Sequence, residues 1–439
     1  MRTAIFRERR LPTFDLCAIV LLAIAVVFTV ARLPHLIREM QLRGADNLGD
    51  FNFYYYAFTV AAQHHLDAWL MYDPDHLLAF LQQAGIRELG VHSFYSYPPQ
   101  FAVLFSWLSL LDMSGAKIVW ASMSIVFLVM GIGLVTRLAY RGDRKSVYVL
   151  LVAVALLGRP LLNELYWGQS NALLLFLLAG TFYLVERGRR YEAGVLLGIA
   201  IVLKLTPVGI AGLLLLRREW RTVISACLTA LVVSAVTAAI IGGNVILHYF
   251  ASDLPRLHAQ LLLVQDGLAP FNSSVRGALA ALSASLGFSL PERALAAVSV
   301  MFAAAVCLFS AYLVTRRQAD TRLDYALATT TILVASPVLE SVHLVITVIP
   351  LLILLGTTFE APHTMPLSVF GQRGEAVLMV VAIVLIGLSP RFVTYTVAIL
   401  VLYALCAGRY FGTPIASSVN GARSTRSRQS EATAHAMRL

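Results

Sequence analysis

The sequence predicts an all-α polytopic integral membrane protein, and three observations lead to that fold class. Of its 439 residues, 59% are hydrophobic and only 13% are charged, whereas a soluble domain carries roughly 25% charged residues. Many apolar runs approach the roughly 20 residues that a helix needs to cross a bilayer. The runs are continuous rather than alternating, which disfavours a transmembrane barrel and favours helices that satisfy their own backbone groups.

Apolar segments recur along the chain and predict about 10–13 membrane helices in a single domain, residues 1–412. The first segment follows a basic N-terminus, but its length and lack of a small-residue cleavage site favour an uncleaved helix over a signal peptide. Residues 413–439 are rich in Ser, Thr, Ala and Arg, which predicts a disordered cytoplasmic tail. The segments are residues 14–33, 99–112, 117–137, 146–160, 171–186, 193–216, 222–243, 296–315, 323–339, 342–357, 376–390 and 392–408.

The net charge of +10 is concentrated in clusters of Arg and Lys between the apolar segments. Such clusters collect on the cytoplasmic side, so we expect a bacterial plasma-membrane protein with both termini in the cytoplasm. Loops at residues 34–98, 160–170, 244–295 and 338–343 then face outward. No basic stripe with base-reading residues is present, so no nucleic-acid partner is expected. The clusters comprise Arg2, Arg7, Arg9 and Arg10; Arg137, Arg141, Arg144 and Lys145; Arg187, Arg189 and Arg190; Arg217, Arg218 and Arg221; Arg316, Arg317 and Arg322; and the C-terminal arginines.

The four cysteines all sit inside apolar runs and lack the paired spacing of a metal site. They are typical of small buried hydrophobic residues, and they suggest neither a disulfide framework nor a zinc site. No metal and no cofactor are expected. The cysteines are Cys17, Cys227, Cys307 and Cys406.

Two basic clusters, at residues 187–190 and 217–221, flank a single apolar stretch, so both cannot be cytoplasmic if that stretch crosses once. Lys204-Leu205-Thr206-Pro207 lies at its middle, and the residue before a proline disfavours helix. We therefore expect two half-helices that enter and return on the same side. Lys204 is then an intramembrane cation, which costs at least a few kcal/mol unless it faces water or an anion. A lipid phosphate and a carboxylate of another helix are equally suitable anions.

The first outward loop is long for a connection and contains Asp50 directly before an aromatic stretch, FNFYYYAF. Aromatic rings with polar tips, such as Tyr54, favour amphipathic helices lying at the membrane interface. Asp50 is expected near a helix N-terminus, where the helix dipole stabilises a carboxylate; a plain N-cap is the commoner explanation of such a residue. The loop ends in a rigid step, Tyr95-Ser96-Tyr97-Pro98-Pro99.

The second outward loop crowds Arg159, Asn163, Glu164, Gln169 and Asn171 at a membrane boundary. These side chains either cap two helices or form a polar rim for a sugar or phosphate.

The third outward loop contains Asn272 and Arg276, which offer an amide and a guanidinium to a hydroxyl-rich ligand. A later polar turn between two apolar runs contains Glu340 and His343. The histidine either caps a helix or holds a carboxylate in place across a cavity.

Together these residues resemble glycosyltransferase family 87, the polyprenol-phosphate-mannose-dependent mannosyltransferases of the GT-C superfamily. The resemblance covers roughly residues 45–350, in the order expected for the family. Two positions depart from it: Asn-Ser-Ser replaces the usual Asn-Gln-Ser, and the last turn lacks an aromatic residue before Glu340. The matching motifs are Asp50 with its aromatic stretch; Met71-Tyr72-Asp73-Pro74; Tyr-x-Pro-Pro at Tyr95 to Pro99; Gly168, Gln169 and Asn171; Lys204 to Pro207; Asn272 and Ser274; and Ser336, Pro337, Glu340 and His343.

The resemblance implies a GT-C-type fold and an inverting transfer of a sugar, expected to be mannose, from a polyprenyl-phosphate donor. The acceptor would be a glycolipid or glycan at the outer membrane face. Asp50 would be the general base, with His343 orienting it or contacting the acceptor. A transporter or flippase of lipid-linked saccharides is the alternative, although its ionisable residues would lie near the bilayer midplane. The implied donor-binding residues are Lys204, Arg159, Gln169, Asn171 and Arg276, and the implied acceptor or rim residues are Tyr54, Tyr97, Asn272 and Glu340.

Overall fold

A computed structural model describes most of the chain, and every regular element in the described part is helical. No strand occurs in these ranges, so the predicted all-α class is confirmed. The tail predicted at residues 413–439 lies outside them. The described residues are 11–42, 49–63, 67–86, 94–257, 259, 272–316, 320–360, 368–388 and 392–412.

Short 3₁₀ segments adjoin some of the helices. The segments Ala68–Tyr72 and Ser341–Thr347 each precede a helix, and the segment Ser106–Leu110 directly follows one. The helices are α1 (Leu11–Leu42), α2 (Gly49–Gln63), α3 (Pro74–Gln83), α4 (Pro99–Phe105), α5 (Met113–Ala139), α6 (Lys145–Leu156), α7 (Arg159–Trp167), α8 (Asn171–Glu186), α9 (Arg190–Leu203), α10 (Val208–Leu216), α11 (Trp220–Ile241), α12 (Gly243–His248), α13 (Val275–Ser285), α14 (Glu292–Thr315), α15 (Thr321–Val334), α16 (Val348–Glu360), α17 (Gly371–Leu388) and α18 (Phe392–Arg409).

Within the described ranges, five helices are long and apolar enough to cross a membrane. The pair α6 and α7, bent by 52° at its break, would add a sixth if it is one span. The polytopic architecture is therefore confirmed, but several of the 10–13 predicted helices, such as α8, are too short to count as spans by themselves. The five candidates are Thr13–Arg32, Met113–Ala139, Trp220–Ile241, Glu292–Thr315 and Ser341–Glu360.

The interior of the bundle is built on α8 and α16, whose side chains are mostly buried. Helix α16 packs against α5, α6 and α15, and α8 packs between α5 and α9. Helices α11 and α14 instead expose large apolar side chains such as Leu231 and Val300. An apolar surface of this kind suits contact with lipid rather than water.

The predicted same-side hairpin is confirmed by the contact between its two ends. Helix α9 ends at Leu203, residues 204–207 are not helical, and α10 returns toward the end of the molecule where α9 begins. Arg190 Nε, at the start of α9, donates to Glu219 Oε2, just after α10, over 2.6 Å. Both flanking basic clusters therefore lie at one end of the molecule, and Lys204 lies at the apex of the hairpin.

Other basic clusters meet at this same end through ion pairs between helix termini. Arg322 pairs with Asp320 and with Glu360, in each case at 2.6 Å. Arg141 pairs with Glu186. Since breaking a buried pair leaves an uncompensated charge, these contacts fix the helix ends relative to one another. We refer to this region as the basic end; its cytoplasmic location stays a prediction.

The aromatic helix of the first loop, α2, packs inside the protein. Phe51 and Phe58 are fully buried, and both rings pack against Trp120. These contacts are with protein side chains, and the position of α2 relative to the membrane interface stays a prediction. The Asp73-Pro74-Asp75 step that follows also has a structural explanation, because Asp73 accepts from the backbone amides of Asp75 and His76 as the N-cap of α3.

Candidate active site

Asp50 lies in the first turn of α2, where its carboxylate accepts a hydrogen bond from Gln169 Nε2. The helix already begins at Gly49, so Asp50 is not its N-cap and the carboxylate is held by a residue of another loop. Asp50 is half-buried. A partly exposed carboxylate fixed in this way is able to accept a proton from a ligand.

Two tyrosines determine which way the Gln169 side chain points. The hydroxyls of Tyr54 and Tyr97 each donate to Gln169 Oε1 over 3.0 Å. Because these donors occupy the oxygen, the amide nitrogen must face Asp50. Ser170 Oγ in turn donates to the Tyr97 hydroxyl over 3.0 Å. Tyr54 and Tyr97, predicted as rim residues, are buried and contact Gln169.

The turn that carries Gln169 is shaped by Gly168. This residue ends α7 with a φ of 65°, a left-handed conformation that glycine adopts without steric cost. Its carbonyl accepts from Trp120 Nε1 over 2.8 Å. The turn is thereby attached to α5, and Gln169 emerges in a fixed direction.

A second chain of contacts starts at Glu164 and ends at Lys204. The Glu164 carboxylate is fully buried and accepts from the backbone N–H of Ala172 and from Asn171 Nδ2, over 2.8 and 3.0 Å. Asn171 Oδ1 accepts from Lys204 Nζ over 2.8 Å. The ammonium also lies 5.6 Å from the centre of the Tyr97 ring, a cation–π contact.

Lys204 is the shared electrostatic neighbour of three carboxylates. Its charge interacts with Glu164, Glu340 and Asp50, which lie on three separate parts of the chain. The sequence left open whether Lys204 meets a carboxylate or a lipid phosphate. Its direct partner is instead the Asn171 amide, and the carboxylates surround it at longer range.

This environment makes Asp50 a weaker acid than usual. Burial is the largest cause and raises its pKa from an ordinary 3.8 to about 7. The nearby charges of Glu340 and Glu164 act in the same direction, while the Gln169 hydrogen bond and the Lys204 charge lower the pKa. Asp50 therefore titrates near neutral pH, the range that suits a general base.

Glu340 and His343 cap the turn before α16 reciprocally. The Glu340 side chain accepts from the backbone of His343, and the Glu340 N–H donates to His343 Nδ1 over 3.1 Å. With Nδ1 used as an acceptor, a neutral imidazole carries its proton on Nε2. The helix-capping explanation of His343 thus has direct structural support, and its role toward Asp50 or the acceptor stays a prediction.

Asn272 joins the third loop to this turn. Its Oδ1 accepts from the backbone N–H groups of Ser274 and Leu339 over 3.0 Å each. Its Nδ2 donates to the carbonyl of Pro337 over 3.2 Å, and Ser274 Oγ donates to the same oxygen over 2.8 Å. Asn272 is buried, so it supports the turn that carries Glu340.

The two candidate phosphate arginines occupy different settings. Arg159 is half-buried at the start of α7 and interacts electrostatically with Arg32 and Tyr395. Arg276, in α13, is 2% exposed. Their assignment to the donor phosphate stays a prediction.

A family model of glycosyltransferase family 87 matches residues 95–337, which is more than half of the chain. The chain belongs to glycosyltransferase family 87. The matched range includes Gln169, Asn171 and Lys204, but it begins after Asp50 and ends before Glu340. The match thus identifies the family, and the roles of the site residues stay predictions.

Curated relatives of this family 87 member match parts of its length. An alpha-(1->3)-arabinofuranosyltransferase of Corynebacterium glutamicum is 26% identical over 150 residues, 34% of this chain and 36% of the relative. A polyprenol-phosphate-mannose-dependent alpha-(1-2)-phosphatidylinositol mannoside mannosyltransferase of Mycobacterium tuberculosis is 30% identical over 151 residues, 31% of this chain and 35% of the relative. A polyprenol-phosphate-mannose-dependent alpha-(1-2)-phosphatidylinositol pentamannoside mannosyltransferase of Mycolicibacterium smegmatis is 28% identical over 191 residues.

The last of these matches covers 42% of this chain and 43% of the relative. The chain thus spans between 35% and 43% of the curated relatives it matches. No solved structure matches it.

Glu164 belongs to the site but was not predicted as a site residue. The sequence indicated only that it lies in the polar second loop. It lies seven positions before Asn171 in the sequence, and a hydrogen bond joins the two side chains. An acidic residue in an otherwise apolar boundary segment was the available signal. The contacts from Trp120 and Ser170 had no such signal, since both residues are common in membrane helices.

Proposed function

We propose that this family 87 member is an inverting membrane glycosyltransferase. It moves a sugar from a polyprenyl-phosphate donor to a glycolipid or glycan acceptor at the outer membrane face. The observation that carries the proposal is a carboxylate, Asp50, held by Gln169 beside the Lys204 ammonium. The names of two relatives include polyprenol-phosphate-mannose dependence, which supports the donor class.

The reaction needs one displacement at the anomeric carbon. The acceptor hydroxyl oxygen attacks that carbon, the bond to the phosphate oxygen breaks, and its electron pair leaves with the phosphate. The hydroxyl proton passes to Asp50. A single displacement inverts the configuration, as in the base half of an inverting glycosidase. With a pKa of about 7, Asp50 is partly ionised at neutral pH and is a stronger base than an ordinary carboxylate.

The phosphate leaves as an anion and therefore needs a cation rather than an acid. Lys204 supplies that charge, and the Asn171 contact holds its ammonium in place. Preorganised charges of this kind stabilise developing charge in the transition state. Arg159 and Arg276 are proposed as further phosphate partners.

We propose mannose as the transferred sugar because the two relatives from Mycobacterium tuberculosis and Mycolicibacterium smegmatis are named as mannosyltransferases. The Corynebacterium glutamicum relative is named as an arabinofuranosyltransferase, which makes arabinofuranose the competing sugar. Both sugars fit the same displacement chemistry.

The test reconstitutes the full chain in liposomes with labelled polyprenyl-phosphate mannose or polyprenyl-phosphate arabinofuranose and extracted glycolipid acceptors. We expect a labelled glycolipid from the mannose donor. Asp50→Asn should reduce its formation by about 10²- to 10⁴-fold, whereas Asp75→Asn, an exposed carboxylate of α3, should leave it unchanged.

Three results would contradict the proposal. Turnover retained in Asp50→Asn would show that Asp50 is not the general base. Product formed only from the arabinofuranose donor would show that the transferred sugar is arabinofuranose and not mannose. Labelled donor that changes sides of the membrane without any product indicates the transporter alternative.

A further inference from the structure

We propose that a cleft at the basic end, remote from Asp50, binds the phosphate headgroup of an anionic phospholipid. The cleft has a volume of about 620 Å³ and lies among the ends of α5, α6 and α8, with Arg137, Arg141 and Arg187 in its lining. Along α5, Arg137 lies seventeen residues beyond Trp120, which contacts the Gln169 turn. At 1.5 Å per residue this is roughly 25 Å, so the cleft is separate from the candidate active site.

Of the described residues, three arginines and no carboxylate line the cleft, although Asp143 and Glu360 are close enough to interact electrostatically with Tyr148 in its wall. Arg141 pairs with Glu186. Arg137 and Arg187 are exposed and form no ion pair with a described residue; the Arg187 guanidinium lies over the Tyr183 ring at 5.0 Å. Two guanidiniums that line one cleft suit a phosphate, which they can bind through charge-assisted hydrogen bonds.

The two tyrosines in the lining, Tyr140 and Tyr148, form the wall of the cleft. The hydroxyl of Tyr148 donates to the carbonyls of Tyr140 and Gly142 over 3.1 and 3.2 Å. Its ring packs edge-on against Tyr140 at 5.3 Å. The wall is therefore fixed, and the ligand-binding donors are those of the arginines.

An apolar strip of α5 leads from the cleft toward the middle of the membrane span. Gly133 lies one turn from Arg137 and lines the cleft, with no atom within 4 Å of the position of a Cβ. Val126, Val129 and Met130 continue the same face and are 53%, 66% and 45% exposed.

A soluble phosphate would contact only the arginines of this arrangement, whereas a phospholipid would contact both parts: its headgroup at the arginines and an acyl chain along α5. Basic pockets between membrane helices are typical sites for such headgroups. The same end carries the clusters predicted to face the cytoplasm, where anionic lipids are abundant.

The test is native mass spectrometry of the full-length detergent-solubilised protein, titrated with phosphatidylglycerol and, separately, phosphatidylcholine. We expect phosphatidylglycerol to bind more tightly. The double variant Arg137→Gln/Arg187→Gln should weaken phosphatidylglycerol binding by about tenfold and leave phosphatidylcholine binding unchanged. Arg221→Gln, an exposed arginine of α11 at the same end, is the matched control and should bind like the unmodified chain.

A second variant tests the apolar part without changing any charge. Gly133→Leu fills the open strip and should weaken phosphatidylglycerol binding several-fold while the protein keeps its thermal unfolding profile, since leucine favours helix. Equal phosphatidylglycerol affinity in the double variant and in Arg221→Gln would overturn the site. Unchanged affinity in Gly133→Leu, together with displacement by millimolar inorganic phosphate, would overturn the lipid as its ligand.

Discussion

Replacing Asp50 with asparagine should abolish transfer and, at the same time, stabilise the fold in a pH-dependent way. The pKa of Asp50 is raised by burial to about 7 from an ordinary 3.8, so the folded protein binds a proton here that the unfolded chain has released. Stability is therefore lost as the pH rises from about 4 to about 7. The rise in pKa from 3.8 to about 7 means that the folded protein disfavours the ionised carboxylate by about 4 kcal/mol relative to the unfolded chain.

Asparagine resembles the neutral acid and removes this cost. We expect Asp50→Asn to be more stable than the unmodified protein by up to about 4 kcal/mol at pH 8 and by about 2 kcal/mol at pH 5. Thermal unfolding at the two pH values measures the difference, with Asp75→Asn as the exposed control. The same samples should lose turnover by about 10²- to 10⁴-fold.

Two outcomes would refute this reasoning in different ways. An equal stability change at pH 5 and pH 8 would show that Asp50 does not titrate near neutrality in the folded protein. Loss of turnover together with a lower stability at both pH values would show that the carboxylate is needed for folding. Asp50 is supported as the general base only if Asp50→Asn is both more stable than the unmodified protein and inactive.

The remaining predictions concern the groups around Asp50. Glu340→Gln removes a negative charge that raises the pKa of Asp50, so the acid limb of kcat/KM should move to lower pH, by up to about one unit; an unchanged limb would contradict the interaction. Gln169→Leu should move that limb upward, because a hydrogen bond that lowers the pKa is lost. Lys204→Met should lower kcat by about 10²- to 10³-fold, measured with saturating donor, and normal turnover excludes its role. Gly168→Ala, at a φ of 65°, should cost about 1 kcal/mol of stability in thermal unfolding.

Charge placement predicted the fold better than segment length did. The same-side hairpin around Lys204 follows from two basic clusters that cannot lie on opposite faces, and the contact from Arg190 to Glu219 confirms it. The number of spans did not follow, because short apolar segments such as residues 171–186 were predicted as membrane helices, whereas α8 is too short to be a span by itself. An apolar composition does not by itself show whether a segment crosses the membrane.

The aromatic helix α2 shows the same limit. Tyrosine and tryptophan suit both a membrane interface and a buried contact where the polar tip has a partner. In α2 the tyrosines have such partners inside the protein, since Tyr54 donates to Gln169 and Tyr56 donates to the carbonyl of Leu70. Composition alone could not choose between the two locations.

For the candidate site, the sequence identified the members and not their contacts. Asp50, Gln169 and Asn171 were singled out as polar residues of outward loops, and Lys204 was singled out as an intramembrane cation. The bond from Gln169 to Asp50 links positions 119 residues apart, and such pairs depend on how the helices pack. The direction of the Gln169 amide was unpredictable as well, because two buried tyrosines set it.

The position of Lys204 between the carboxylates and the proposed phosphate site couples donor binding to the strength of the base. In the free protein the Lys204 charge lowers the pKa of Asp50. A bound phosphate would neutralise part of that charge, so the pKa of Asp50 should rise once the donor is in place. The acid limb of kcat, which reports the complex, should then lie at higher pH than that of kcat/KM, which reports the free enzyme. Coincident limbs in the unmodified protein would mean that the phosphate binds away from Lys204.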